Sequence, residues 1–240
     1  MATSPRRRTS NRLLDQLPQD DCERLAPHLL EAALPHGKVL YESNKHQTHI
    51  YFPRSGVISL LYVMDDGNTG EIAMVGNEGV VGVAVLVDSS STPTRAEVQV
   101  PGEALMLRTD IVDVEFQRGG AFQLMILRYT QLLISQMAQA VICNRHHTVE
   151  KQLCRWLLLA FDRAHADEIA LTQEAIAALL GVRREGISEA ARRLQAAGLI
   201  RYSRGNIRLV DREGLESHSC SCYLAIREEQ ARLMKGLREL

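Results

Sequence analysis

The chain has little with which to cross-link itself, enter a membrane or catalyse. Its five cysteines are an odd, scattered set (Cys22, Cys143, Cys154, Cys220, Cys222), which excludes a disulfide framework and supplies no paired CxxC zinc spacing. Reduced thiols are the expected state. No apolar run approaches the length that spans a bilayer. The opening MATSPRRRTSN is basic but leads into no apolar stretch, so it does not read as a secretory signal, and a cytoplasmic protein without membrane contact is expected. Aromatic residues are sparse at 5%, which constrains the fold little. A formal net charge of -1 excludes a general polycation. There is no GxSxG, Walker loop, HExxH or paired-carboxylate motif, so an enzyme is not expected. The Gly-rich GNEGVVG lacks the lysine of a phosphate loop.

What the chain does have begins at Thr172. The stretch TQEAIAALLGVRREGISEAARRLQAA opens on Thr172, whose hydroxyl can accept from the amides of the next turn. One helix follows with Ile176, Ala177 and Leu180 on its apolar side. Gly181 ends it, as suits a positive φ. A second helix carries Ile187, Ala190, Ala191 and Leu194 on one face. Two short helices around a glycine turn make a helix-turn-helix. The second helix turns Arg183, Arg184, Glu185, Ser188, Glu189 and Arg192 away from its apolar side. The first turn of a helix in the major groove reaches base edges; Arg184 can pair bidentately with guanine and Glu185 can accept from cytosine. Ser188 and Arg192 suit phosphates, and Thr172 and Gln173 sit at the entry to the motif. Basic charge is local: from Thr172 to Arg212 eight arginines face only Glu174, Glu185, Glu189 and Asp211. The alternative for that face is solvation, with Glu189 pairing to Arg192 or Arg193. LIRYSRGNIRLV then reads as a hairpin around Gly205-Asn206, a wing with Arg204 at its tip.

Elsewhere the texture differs. Residues 1–12 read as a disordered basic arm. Residues 11–33 show helical spacing of Leu13, Leu14, Leu25, Leu29 and Leu30, broken at Pro18 and Pro27. From Leu34, strand-like segments recur: KVLY, HIYFP, GVISLLYV, TGEIAMV, VVGVAVLV, AEVQV and EALMLR. Turn residues separate them, and an antiparallel sandwich or barrel is expected, followed by a short helix that Thr109 caps. After Gly119-Gly120 a long helix runs from Ala121 to about Arg145. Its apolar residues cover more than one stripe, so it needs two partners. Ile126, Tyr129, Leu133, Gln136 and Ala140, with Met137, step by three and four as a coiled-coil seam between two copies does.

The fold class is therefore α+β: an N-terminal antiparallel β-roll over 13–118, a central dimerisation helix over 119–146, a winged helix-turn-helix over 147–214 and a helical extension over 215–240. That arrangement, with the run from Thr172 to Asp211, resembles the Crp/Fnr family of bacterial transcription regulators. The resemblance covers Leu13 to Tyr223. It implies a cyclic-nucleotide-binding-like domain, a homodimer on a two-fold operator in double-stranded DNA, and contact with RNA polymerase. Family members read bases through an Arg-Glu pair or Glu-x-x-Ser-Arg; Arg184-Glu185 and Ser188 match, while Glu189 replaces the second Arg. Cyclic-nucleotide binders hold ribose with Gly-Glu and phosphate with an Arg before Ser or Thr. Here Gly82-Val83 and Thr92-Pro93 stand in those places and Arg95 is displaced, so Gly82, Val83 and Arg95 form the candidate pocket, and cyclic AMP is not expected to bind. No cofactor is expected. Cys22 alone cannot hold an iron–sulfur cluster, and a lone His leaves haem ligation open. Two groups suit metal or redox chemistry in part: Cys143, His146 and His147 on one side of a helix, with Cys154 not far, and His218, Cys220 and Cys222 in SHSCSCY. Neither supplies four ligands alone, so no metal site is assigned. A DNA-independent adaptor and a metal or redox sensor are the alternatives to a regulator.

Overall fold

The computed structural model describes residues 9–87 and 91–237. The chain runs α1 (Gln19–Leu25), β1 (Leu30–Leu34), β2 (Val39–Tyr41), β3 (His49–Pro53), β4 (Val57–Val63), β5 (Thr69–Val75), β6 (Thr94–Val100), β7 (Gly102–Arg108) and α2 (Thr109–Arg118). Then come α3 (Ala121–His146), α4 (Val149–Ala164), β8 (Glu168–Ala170), α5 (Gln173–Leu180), α6 (Arg184–Ala196), β9 (Ile200–Ser203), β10 (Asn206–Leu209), α7 (Arg212–His218) and α8 (Ser221–Leu237). Two antiparallel sheets, ordered β1-β7-β3 and β2-β6-β4-β5, form the roll. Alternation fills it: Ile50 and Phe52 from β3, Ala96 and Val98 from β6, and Leu105 and Leu107 from β7 meet in one core.

Several expectations need correction. Residues 9–12 are not a loose arm. Asn11 is fully buried; its amide nitrogen donates to Pro53 O and Gly79 O, and its oxygen accepts from the amides of Leu13 and Leu14. Residues 1–8 lie outside the described part. The helix-prone LEAAL is strand β1, paired along its length with β7, because a sheet edge outweighs intrinsic propensity. VVGVAVLV is not a strand. Gly82 takes φ +102 and the chain turns into a 3-10 helix, Val83–Val87, leaving one bridge between Tyr51 and Val81. Thr109 is the first residue of α2 rather than its cap, and its hydroxyl donates to Thr48 O.

A second core joins the roll to the C-terminal half. Val57, Leu61 and Met74 pack with Trp156, Leu157 and the apolar sides of α5 and α6. Trp156 donates from Nε1 to Glu71 Oε1 at 2.9 Å, and Ser59 donates to the same carboxylate's other oxygen. Arg163 near the end of α4 bonds Glu78 of the roll at 2.8 Å, both side chains only 4% exposed. α8 lies antiparallel along α3: Cys222 sits beside Cys143, and Ile226 and Glu229 approach Leu132 and Gln136. Leu233 and Met234 reach the core of the roll. No described helix is long and apolar enough to cross a membrane.

Candidate nucleic-acid interface

The helix-turn-helix is built as its local chemistry dictates. Thr172 Oγ1 accepts from Ala175 N at 3.1 Å, which caps α5. Gly181 takes φ 65, ψ 34 and closes it. Val182 N returns to Ala177 O at 3.0 Å, so the turn is tight. Ile187, Ala190, Ala191 and Leu194 bury one side of α6. Ser188 does not face solvent as a free phosphate donor; its hydroxyl donates to Gln173 Oε1 and so locks α6 to the start of α5. Arg184 lies 3.5 Å from Glu174, both largely exposed, a pair that water screens and can open. Glu189 pairs with Arg193 at the i,i+4 spacing, and Glu150 lies on Arg193's other side. Arg183, Glu185, Arg192 and Arg204 are exposed and make no ion pair among the described residues.

The wing is a three-stranded sheet, β8-β10-β9, so β8 adds a strand to the expected hairpin. Its turn is Arg204-Gly205, not Gly205-Asn206. Both take positive φ, 50 and 82, as a two-residue turn of that hand requires, and Asn206 already pairs with Ser203 and Ala170. Leu171 N donates to Gly205 O at 2.7 Å, so the wing tip sits against Thr172 and the entry to α5. Thr172, Gln173, Arg184, Ser188 and Arg204 are thus gathered at one end of the motif.

The dimer seam is corrected. Ile126, Tyr129, Leu133, Gln136 and Ala140 are buried within the chain itself, and Met137 packs against the same core. Gln136 accepts from Met74 N at 2.7 Å, and the Tyr129 ring lies against Gly79 so closely that a Cβ there would collide. A second copy has no access to them. What α3 leaves uncovered is a different stripe: Leu127 at 51% exposure, Ile134 at 62% and Val141 at 66%. With Leu124 before them and Gln131 and Ala138 between them, these residues also step by three and four.

The candidate pocket does not gather as expected. Arg95 is held by Glu42 through two bonds of 2.9 Å, with Glu97 at 3.6 Å. Gly82 adjoins Ile50 and Gln47. Gln47 belongs to no sequence motif, yet it is 2% exposed, and neither polar atom of its side chain has a hydrogen-bond partner among the described residues. A polar cleft of about 430 Å³ opens elsewhere, between the roll, α4 and α8, with Arg12, Arg163, Arg212 and Arg227 on its walls.

Comparison with known proteins gives the following. Residues 31–118 match the model of the cyclic nucleotide-binding domain, and residues 151–218 match that of the Crp-like helix-turn-helix domain. No curated protein matches the sequence. Among solved structures, FixK2 from Bradyrhizobium japonicum superposes with TM-score 0.68 at 17% identity, over 80% of this chain and 98% of that one. The c-di-GMP responsive global regulator CLP of Xanthomonas campestris gives 0.67 at 16%, over 81% and 100%. A protein described as a crp/fnr regulator from Eubacterium rectale gives 0.66 at 19%, over 88% and 99%. At these identities the superpositions establish the fold.

Proposed function

Because the chain belongs to the Crp/Fnr family, carrying its cyclic nucleotide-binding domain and its Crp-like helix-turn-helix domain in order, we propose that it is a homodimeric regulator of transcription that binds a two-fold symmetric site in double-stranded DNA. The observation that carries this reading is the first turn of α6. Arg184 and Glu185 stand there exposed, and Ser188 commits its hydroxyl to Gln173 and fixes the helix that presents them. Arg183 and Arg192 flank them and Arg204 extends the same surface from the wing, as phosphate contacts would. The stripe of Leu127, Ile134 and Val141 is where the second copy packs.

The roll is the sensor in this reading, and cyclic AMP is not its ligand. The Val83 side chain cannot accept from a ribose hydroxyl, and releasing Arg95 to a phosphate would break its two hydrogen bonds to Glu42. The signal passes through Glu71–Trp156 and Glu78–Arg163, which join the roll to the helix that leads into the DNA-binding domain.

The test is selection of bound duplexes from a random pool, then titration of the selected and a scrambled duplex at several salt concentrations. Arg184→Ala should lose about 1–3 kcal/mol per half-site on the selected duplex and little on the scrambled one. Arg204→Ala should weaken both alike and lower the salt slope by about one for each phosphate that the shortened side chain no longer reaches. If no sequence is enriched, or Arg184→Ala weakens both duplexes equally, base reading by α6 is refuted.

A further inference from the structure

The two partial Cys/His groups of the sequence lie some 75 residues apart, yet they are one cluster in space. Cys143 and His147 stand at the end of α3 on one side of the helix; Cys220 and Cys222 straddle the start of α8. One ligand atom from each of the four falls within 4.8 Å of every other. Cys143 Sγ lies 3.6 Å from Cys220 Sγ, and Cys222 Sγ lies 3.5 Å from His147 Nδ1. The three cysteines are buried and form a small core of their own, with His147 half-buried at its edge. His146 and His218 are exposed and stand outside it, and Cys154 belongs to the larger core.

These separations carry information about what fits. A zinc ion with thiolates at about 2.3 Å and an imidazole nitrogen at about 2.0 Å, set tetrahedrally, places sulfur about 3.8 Å from sulfur and about 3.5 Å from nitrogen. The sulfur–sulfur separation of 3.6 Å and the sulfur–nitrogen separation of 3.5 Å agree with that, and the remaining pairs lie within 4.8 Å. A four-iron cluster puts each thiolate on a different iron and needs them much farther apart. A disulfide needs sulfurs at about 2.05 Å, and the pair at 3.6 Å is not bonded. The charge agrees as well. Three thiolates, one neutral imidazole and a divalent ion sum to one negative charge. Arg155 of α4 is buried, acts electrostatically on Cys143, and has an Nε without a hydrogen-bond partner among the described residues. A buried guanidinium beside a singly negative centre is the outer-layer complement such a site calls for. Gln152 supports the fourth ligand from behind, donating to His147 O at 2.9 Å.

We propose that Cys143, His147, Cys220 and Cys222 form a closed four-ligand site for one zinc ion, which clasps the start of α8 to the end of α3 at the entrance to the DNA-binding domain. The protein supplies four ligands and no open position, so the ion is structural and not a Lewis acid for a substrate. Its binding energy is then stability of the α3–α8 contact.

The test uses full-length protein purified under reducing conditions. Native mass spectrometry and elemental analysis should find one zinc per chain, retained on dialysis against a weak chelator. Metal-free protein should take up one cobalt(II) with the absorption of a tetrahedral thiolate complex. Cys143→Ser, Cys220→Ser and Cys222→Ser should each cut the stoichiometry at least tenfold, whereas His146→Ala, His218→Ala and Cys154→Ser keep one ion. Should a serine variant fail to fold, His147→Cys decides, because its position is half-exposed: it should keep one ion and intensify the cobalt charge-transfer band. Absence of stoichiometric zinc or cobalt in reduced, folded wild type overturns the proposal. So does full retention by the Cys220→Ser/Cys222→Ser double variant, or an intact mass that shows a Cys143–Cys220 disulfide in its place.

Discussion

Replacing Glu71 by Gln should change how stability depends on pH, and by an amount that the structure sets. The Glu71 carboxylate lies between the roll and α4, bonded by Ser59 and by Trp156 Nε1. Burial pushes its pKa up from 4.5 to about 7; the bonds from Ser59 and Trp156 and the charges of Arg155 and Arg163 oppose the shift without cancelling it. The native state therefore holds a proton there that the unfolded chain gives up at lower pH. Stability from this group is complete below 4.5 and drains away as pH rises through about 7. At about 1.4 kcal/mol per unit the loss is about 3–4 kcal/mol at most. Part of the residue's surface remains accessible, so screening by solvent makes that figure a ceiling. Gln keeps an oxygen for Trp156 and cannot ionise. Trp156 is the sole tryptophan and touches the group in question, so its fluorescence reports unfolding in urea at the right place. Between pH 5 and pH 8 the wild type should lose stability relative to Glu71→Gln by up to that amount. Parallel pH curves for the two proteins would refute the argument, since a carboxylate ionised throughout in both states gives no such divergence.

Three other outcomes are expected. Ile134→Glu should leave the far-ultraviolet spectrum unchanged and yield monomers by light scattering at micromolar concentration, whereas Leu133→Glu, which forces a charge into the core, should unfold the chain instead; a dimeric Ile134→Glu would move the seam elsewhere. Glu78→Ala should cost about 3–5 kcal/mol in urea unfolding by stranding Arg163, and the Glu78→Met/Arg163→Leu pair should recover most of it; a single variant within about 1 kcal/mol of wild type would contradict the buried pair. Arg204→Gly should leave stability unchanged or raise it by up to about 1 kcal/mol, and Arg204→Val should lower it, because φ 50 suits glycine and not a branched side chain; equal effects in chemical denaturation would say that the tip relaxes freely.

The helix-turn-helix is legible in the sequence because its determinants are local. Thr172, Gly181 and Ile187 each act on residues within a turn or two, so spacing alone locates the cap, the bend and the packing contact. The β-roll is legible as a texture of strands and turns, and deceptive where neighbours decide. LEAAL is a strand only because β7 lies beside it, and Val83–Val87 is not one because Gly82 bends away. The seam fails for a related reason. α3 is apolar on most sides, and two of its stripes have coiled-coil spacing. Which one stays open depends on the roll and on α8, and neither contact leaves a mark in α3's own sequence. Ser188 suits a phosphate by its place on the helix, but Gln173 fifteen positions away accepts its hydrogen bond. Both Cys/His groups are visible in the sequence, and only the antiparallel return of α8 unites them.

That return has a consequence for how the protein is made. The roll and α3 leave the ribosome well before residues 221–237 exist. During that interval α3 carries two uncovered apolar stripes, one that α8 later covers and one, Leu127, Ile134 and Val141, that stays exposed on the finished chain. Domains emerge and settle in order during synthesis, and exposed apolar surface is what aggregates. The cover over Leu132 and Gln136 is a contact across roughly ninety residues, the slowest kind to form because the long intervening loop must first be closed. A nascent chain halted before Cys220 would hold a nearly complete roll on a helix that α8 has yet to cover. Such chains should be bound by chaperones until the last helix arrives, and pairing of two chains through Leu127, Ile134 and Val141 should follow that arrival.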